Sequence, residues 1–316
     1  MKLLTTVAEM QAERAAMTGS VGLVPTMGYL HEGHMSLVRR ARDDSDHVIV
    51  SIFVNPTQFG PSEDFERYPR DERRDLALLE NEGVDIAFVP TVVEIYPPGF
   101  DDWVEVKGPL TERLEGAHRP GHFRGVTTVV ARLFRIVRPH RAYFGQKDAQ
   151  QLRVMRRMVV EQSLGVEVVP MPTVREADGL ALSSRNVYLS PAEREAAIAL
   201  PRALGLARRL VMEEGVTDAE AVRRAVCDEV CADASHLDAR ATHLELDYVS
   251  IANEQTLEER EKIERPALVL LAARVGSTRL IDNTIVVPKG MAIPEGLREL
   301  VEADAAVLTA LNRSDR

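Results

Sequence analysis

His31 and His34 stand three residues apart in Met27-Gly28-Tyr29-Leu30-His31-Glu32-Gly33-His34, and this spacing is the first feature of the chain with chemistry in it. Imidazole is the side chain whose charge changes near neutral pH, and its ring nitrogens can bond phosphate oxygens. Positions three apart lie on one face of a helix, so the two rings point the same way if a helix begins near His31. The surroundings predict such a helix. Val21, Leu23 and Val24 read as a buried strand, Gly28 and Gly33 mark a turn, and Met35, Leu37, Val38 and Ala41 recur at helical spacing. A strand, a glycine-containing loop and a helix in that order turn the unpaired N–H groups and positive dipole of the helix's first turn outward, which suits an anion such as phosphate. The plainer alternative is a pair of surface histidines in a loop; the two glycines after an apolar strand favour a nucleotide site.

Three further loops carry polar groups. Asn55-Pro56-Thr57-Gln58-Phe59-Gly60 follows the β-branched run His47–Val54. Asn55 and Gln58 each donate and accept, which fits a ligand with hydroxyls and a carboxylate, and equally fits a turn whose amides cap the backbone. The polar stretch from Gly60 to Arg70 is long enough to be a flap. Gly145-Gln146-Lys147-Asp148 leaves the strand Arg141–Gly145; Lys147 is a point charge suited to phosphate, Asp148 can alternatively serve only to cap the helix that follows, and Gln151 falls on the first turn of that helix. Ser183, Ser184 and Arg185 put two hydroxyls and a forked cation in the irregular stretch Pro172–Asn186. The basic segment Gly116–Gly125 either orders over a polyanion or ties a loop to its domain.

The elements that must position these groups read as α/β. Helices are expected over Thr5–Ala16, with Val7, Met10 and Ala15 or Ala16 on the apolar side, over Asp71–Glu82, and over Val126–Val137. Further strands are expected at Val84–Pro90, at Glu167–Pro170 and, as a short edge strand, at Trp103–Val106. Ser190 with Pro191 and Glu193 is a capping-box helix start, and from there the pattern changes. Alanine-rich helices over Ser190–Glu214 and Asp218–Ala232 precede strands at His243–Ile251 and Ala267–Val275, and a helical pattern runs through Gly296–Leu311. The domains are therefore drawn at residues 1–174 and 175–316, with Gly179 available as a hinge and a tail from about Val287 that carries no assignable function.

Length and composition narrow the classes. A chain of 316 residues with 45% hydrophobic and 28% charged residues is ordinary globular material for about two domains. A net charge of −10 argues against a broad nucleic-acid surface. No run approaches the roughly 20 apolar residues of a membrane span, and the N-terminus turns polar too soon for a signal peptide, so the expectation is a cytoplasmic protein. Cys227 and Cys231, four apart on an expected helix, read as two reduced, packed thiols, and no metal site is expected from them.

His31-Glu32-Gly33-His34 resembles the His-x-Gly-His signature of the nucleotidyltransferase superfamily. Together with Asn55–Gly60, Gly145–Asp148 with Gln151, and Ser183–Asn186, in order and at the expected intervals, the chain resembles the pantoate–β-alanine ligases as far as about Asp282-Asn283. That resemblance implies a Rossmann-like parallel sheet flanked by helices, of the nucleotidyltransferase type, with a smaller α+β C-terminal lid domain. It implies an AMP-forming ligation of pantoate to β-alanine through a pantoyl adenylate, with ATP accompanied by Mg2+, in a homodimer. Carried over residue by residue, Met27, Gly28, Tyr29, Leu30, His31, Glu32, Gly33 and His34 bind ATP, with His31 and His34 catalytic. Gly145, Gln146, Lys147, Asp148, Val174, Leu182, Ser183, Ser184 and Arg185 complete the nucleotide set, with Lys147 and Arg185 also catalytic. Gln58 and Gln151, with Asn55, hold the substrate. The competing readings are another His-x-Gly-His adenylylating or cytidylylating transferase, and a nucleotide-binding regulatory module without catalysis.

Overall fold

The computed structural model describes residues 1–61, 63–236 and 243–311. The chain divides into two compact units, Met1–Gly145 with Gln150–Met171, and Gln146–Ala149 with Pro172–Arg316.

In the first unit β1 (Lys2–Leu4), β2 (Val21–Thr26), β3 (His47–Ile52), β4 (Ile86–Phe88), β5 (Arg141–Gly145) and β6 (Glu167–Met171) form one parallel sheet in the order β1-β4-β3-β2-β5-β6. The chain winds outward from β2 to β4 on one side and from β5 to β6 on the other, so the order reverses between β2 and β5. Open parallel sheets take their ligands beyond the carboxyl ends of the strands at such a reversal. The helices are α1 (Val7–Ala16), α2 (Glu32–Asp44), α3 (Glu72–Asn81), the single turns α4 (Val92–Ile95), α5 (Pro109–Glu112) and α6 (Glu115–His118), then α7 (His122–Val137) and α8 (Ala149–Glu161). Alternation along the strands separates the two faces: Leu23 and Ile49 pack with Val130, Phe134 and Met155, while Val24, Val48 and Val50 pack with Met35, Val38 and Leu79. Both faces being covered is why these strands read as apolar runs.

Two expectations are corrected in this unit. Ala15 and Ala16 are exposed on α1, which is held instead by Met10, with Val7 packed alongside. Trp103–Val106 is not a strand: the Val104 N–H donates to Thr128 Oγ1 at 3.1 Å, and the Thr127 and Thr128 hydroxyls donate to the Val104 carbonyl. Side chains of α7 satisfy that backbone, so no partner strand is recruited. The strand β1 is an addition, three residues too short to show a period.

Two buried side chains hold the loops at the sheet's carboxyl edge. Asp75, on α3 and 1% exposed, accepts from the Tyr29 and Leu30 N–H groups, each at 2.7 Å. Gly28 beside them has φ +81, and a Cβ there would meet Asp75 Oδ2 at 3.1 Å, so the turn sits directly on the carboxylate. At the start of α7, His122 Nδ1 donates to the Gln58 carbonyl at 2.9 Å while Nε2 accepts from Arg119, whose guanidinium is paired with Glu63 at 2.6 Å. Of the two readings of Gly116–Gly125, Arg119 and His122 follow the second and tie a loop to its domain. The helix begins four residues earlier than expected, and Gly125 lies inside it because a Cβ would stand 2.3 Å from the Thr57 carbonyl.

In the second unit β7 (Leu244–Asn253), β8 (Ala267–Val275) and β9 (Thr278–Val286) form an antiparallel sheet in that order. The strand β9 was not expected; it closes a hairpin on β8 through Gly276 at φ +57. The long helix expected from Ser190 is broken into α9 (Pro191–Ala197) and α10 (Ala199–Arg208), followed by a wider π-turn over Arg209–Glu214. Pro201 lacks the N–H an uninterrupted helix would need, so it sits in the first turn of a new one. Ala199, Ala203 and Ala207 let α10 approach Val222, Val226 and Val230 of α11 (Ala219–His236), and α12 (Glu295–Leu311) follows β9. Cys227 and Cys231 are free on α11, as expected, but Cys231 is exposed and only Cys227 is half-buried. Among the described residues no helix is long and apolar enough to cross a membrane.

Asp75→Ala strands two N–H donors beneath the Tyr29 turn and should cost about 3 kcal/mol in urea unfolding. Burial, with the neighbouring Arg119 charge, lowers the His122 pKa to about 4, so the folded protein needs the neutral ring. The contribution is complete above the unfolded histidine value of about 6.5 and is lost as pH falls from there toward 4. Between pH 7 and 4 the wild type should therefore lose about 3 kcal/mol more than His122→Gln, measured by urea titrations at each pH. Parallel pH curves for the two proteins would remove His122 as the titrating group.

Candidate active site

In the first unit the His31/His34 turn leaves β2 and opens α2, with His31 as the residue preceding the helix. The two rings lie with centroids 4.0 Å apart. The His31 N–H donates to His34 Nδ1 at 3.2 Å. With Nδ1 accepting, the proton of neutral His34 is on Nε2. The His31 carbonyl takes the His34 N–H at 2.8 Å and the Met35 N–H at 3.0 Å, which locks the first turn. Glu32 is exposed and gripped by Arg39 on the same helix at 2.7 Å, which holds its carboxylate below the usual range. Arg74 lies 5.3 Å from the centre of the Tyr29 ring.

The loop after β3 is a second part of the same unit. Asn55 is 1% exposed and saturated by the protein: Nδ2 donates to Gln58 Oε1 at 3.0 Å and to the Gly125 carbonyl at 3.1 Å, and Oδ1 accepts from Tyr96, Thr57 Oγ1 and the Thr57 N–H. Asn55 thus orients Gln58, whose Oε1 is engaged and whose Nε2 faces Met27 Sδ at 3.1 Å. The Gln58 amide is thereby turned with its donors toward Met27, which begins the loop between β2 and α2. Of two adjacent glutamines on α8, Gln150 is consumed by the backbone, taking the Glu115 N–H and giving to the Leu110 and Arg113 carbonyls, while Gln151 is half-buried. Gly145 ends β5 beside β2 in the sheet order.

The second unit holds the remaining predicted residues. Gln146, Lys147 and Asp148 form one 3₁₀ turn, pinned by Asn283 of β9: Asn283 Nδ2 donates to the Gln146 and Lys147 carbonyls at 3.0 and 2.9 Å, and Gln146 Nε2 donates back to Oδ1 at 2.9 Å. Val174 and Leu182 flank a small hairpin in which the Leu182 N–H donates to the Val174 carbonyl at 2.9 Å and Arg175 bridges Ala181. Arg194 closes the hairpin's outer side on Glu176 and Asp178 at 2.7 and 2.6 Å. Ser183 caps the 3₁₀ turn Ser184–Tyr188, accepting from the Arg185 N–H, and Ser184 is buried. Under the hairpin the Arg175 side chain, 1% exposed, is paired with Asp282 at 2.6 Å and Asp304 at 3.0 Å.

Asp75, Arg175, Asp282, Asn283 and Asp304 are the supporting residues that the sequence reading did not single out as such. Asp75 left a signal, a carboxylate four residues before Leu79 on the apolar side of its helix. The pairing of Arg175 with Asp282 and Asp304, more than a hundred positions apart, left none.

Comparison with known proteins bears on the arrangement as a whole. The family model described as pantoate–β-alanine ligase matches residues 2–285. The chain is 58% identical over 289 residues to the pantothenate synthetase of Roseiflexus sp. (strain RS-1), covering 90% of this chain and 99% of that one. It is 55% identical over 289 residues to that of Thermotoga petrophila, covering 90% and 100%. The crystal structure of pantothenate synthetase from Thermus thermophilus superposes with a TM-score of 0.85 at 52% identity, covering 91% of this chain and all of that one. The Francisella tularensis pantoate–β-alanine ligase, described as complexed with β,γ-ATP and β-alanine, superposes at 0.73 with 32% identity, covering 90% and 97%. The chain belongs to the pantoate–β-alanine ligase family.

Proposed function

We propose that the chain joins pantoate to β-alanine at the expense of ATP, through a pantoyl adenylate, with the residue roles read from its sequence. The observation that carries this reading is the His31/His34 pair at the start of α2, with the ring centroids 4.0 Å apart and His34 Nδ1 accepting from the His31 N–H. A carboxylate does not acylate an amine near neutral pH, so its oxygen must first acquire a better leaving group. The pantoate carboxylate attacks the α-phosphorus, the bond to the bridging oxygen breaks, and pyrophosphate leaves with that oxygen. The amine of β-alanine then attacks the acyl carbon, loses a proton, and expels AMP. Donors and cations that meet charge growing on pyrophosphate suffice for the first step, and His34, His31, Lys147 and Arg185 are assigned that work. Met27 to His34, Gly145 to Asp148, Val174 and Leu182 to Arg185 are assigned to ATP, and Gln58 and Gln151 to pantoate. Asn55 is assigned to holding Gln58.

Among the described residues no three His, Cys, Asp or Glu side chains form a metal-binding group. Mg2+ bound largely by phosphates and water needs no such group, so Mg2+ is proposed to arrive on ATP as part of the substrate. The same reading takes the chain to be a cytoplasmic homodimer, which light scattering on the purified protein tests for its oligomeric part.

Lys147→Ala or His34→Ala should lower kcat by about 10²-fold with a smaller change in apparent ATP affinity, because each acts on charge that develops in the transition state. Wild-type turnover in either variant would remove that residue from the mechanism. Gln151→Ala should weaken pantoate far more than ATP, since a site built to bond hydroxyl and carboxylate oxygens is left with unmatched groups. Enzyme, ATP and pantoate without β-alanine should exchange labelled pyrophosphate into ATP, and carboxylate oxygen-18 should appear in AMP after full turnover. Label in inorganic phosphate, with ADP as product, would mean an acyl-phosphate route and overturn the proposal.

A further inference from the structure

The helix α12 lies outside residues 2–285, the stretch shared with the family. It is nonetheless built into the second unit. Leu300, Val301, Asp304 and Leu308 form its buried side. Asp304 Oδ1 accepts from Arg175 Nε at 3.0 Å, and Oδ2 accepts from Thr284 Oγ1 at 2.8 Å. Arg208 of α10 donates to Thr284 Oγ1, to the Ile285 carbonyl and, at 3.1 Å, to the Val301 carbonyl of α12 itself.

The contacts continue from Arg175 in two directions. Nη1 donates to the Gly179 carbonyl at the tip of the hairpin flanked by Val174 and Leu182. Nη1 and Nη2 grip Asp282 at 2.6 and 3.0 Å, and Nη2 also reaches the Asn283 carbonyl at 3.3 Å. Asp282 Oδ1 accepts the Asn283 N–H at 2.7 Å, and the Asn283 side chain holds the Gln146 and Lys147 carbonyls. One continuous set of bonds inside the second unit therefore runs from α12 to both segments assigned to the nucleotide.

We infer that Asp304 is a positioning residue for the ligation, setting through Arg175, Asp282 and Asn283 where the 174–182 hairpin and the Lys147 turn stand. This inference rests on the assignment of those two segments to ATP. Arg175 carries no water shell to adapt with, so its donors must each meet a fixed acceptor, and withdrawing one lets the guanidinium and the hairpin above it shift. A positional error of an ångström in a phosphate-binding group is costly to rate.

Asp304→Asn keeps the side chain's shape and removes the negative charge that faces Arg175 Nε. Pyrophosphate exchange is compared in wild type, Asp304→Asn, Lys147→Ala and Glu302→Gln, an exposed position on α12, below the unfolding temperature of each. Asp304→Asn should lose about 10-fold in kcat/KM for ATP, with the KM for pantoate changed by less than about twofold and Glu302→Gln like wild type. A lower unfolding temperature with unchanged ATP kinetics would reduce Asp304 to a stability role and overturn the inference. Wild-type exchange by Lys147→Ala would instead overturn the underlying nucleotide assignment, whereas a crippled Lys147→Ala beside an intact Asp304→Asn sinks the relay alone. If Asp304→Asn does not fold, Thr284→Val, which removes the hydroxyl on the other carboxylate oxygen, is read by the same ATP-against-pantoate split.

Discussion

Backbone N–H groups at the end of a parallel strand have no ladder partner, and in this protein a buried carboxylate supplies one. Asp75 sits under the turn after β2 and takes the Tyr29 and Leu30 N–H groups, one on each oxygen. The left-handed conformation at Tyr29, unfavourable for a residue with a Cβ, persists because its own N–H and that of Leu30 are held. Burial raises the Asp75 pKa while the two N–H bonds and Arg74 oppose that rise, so the group is costly to place and costly to remove. The direction of α2, and with it the shared face of His31 and His34, follows from where this turn ends.

The second loop obeys the same rule with neutral groups. Asn55 bridges Gln58, Gly125, Thr57 and Tyr96, so its amide is spent on geometry. Gln58 is therefore oriented from three sides, by Asn55 on its oxygen, by His122 on its backbone carbonyl, and by the close approach of α7 at Gly125. An amide whose flip is decided by its neighbours discriminates between donor and acceptor ligands, which a free surface glutamine cannot do.

The loops at the strand ends were legible in the sequence because they depend on local spacing. The His31/His34 turn, the Asn55–Gln58 loop and the Lys147 turn each follow an apolar strand, and strand ends can be read from period and composition. The capping box at Ser190 and the helix over Gly296–Leu311 were legible for the same reason. What failed depended on distant partners. Trp103–Val106 has strand composition, but threonines on α7 took its backbone bonds; β9 carries charged and amide residues through its middle because Asp282 and Asn283 face a buried arginine and a backbone turn. The residue type of Asn55 allows both a ligand group and a capping amide, and its bonds to the Gly125 carbonyl and the Thr57 N–H follow the capping alternative.

The charges beneath the Val174 hairpin raise a separate physical question, since two arginines and two aspartates are removed from water there. Burial opposes ionisation of Asp304 and of Arg208, while Arg175, though burial acts against it too, is held charged by Asp282 and Asp304. Buried ion pairs commonly return little net stability compared with apolar side chains of the same volume, so stability is a weak account of why such a set exists. Apolar packing, however, tolerates small slides of one element along another, and a guanidinium does not. Arg175 has acceptors on Asp304, Asp282, Asn283 and Gly179, and any displacement of the hairpin lengthens several bonds at once. The desolvated charges thus tie the backbone between Val174 and Leu182 through several directional bonds at once, a restraint that apolar packing of the same volume would not supply.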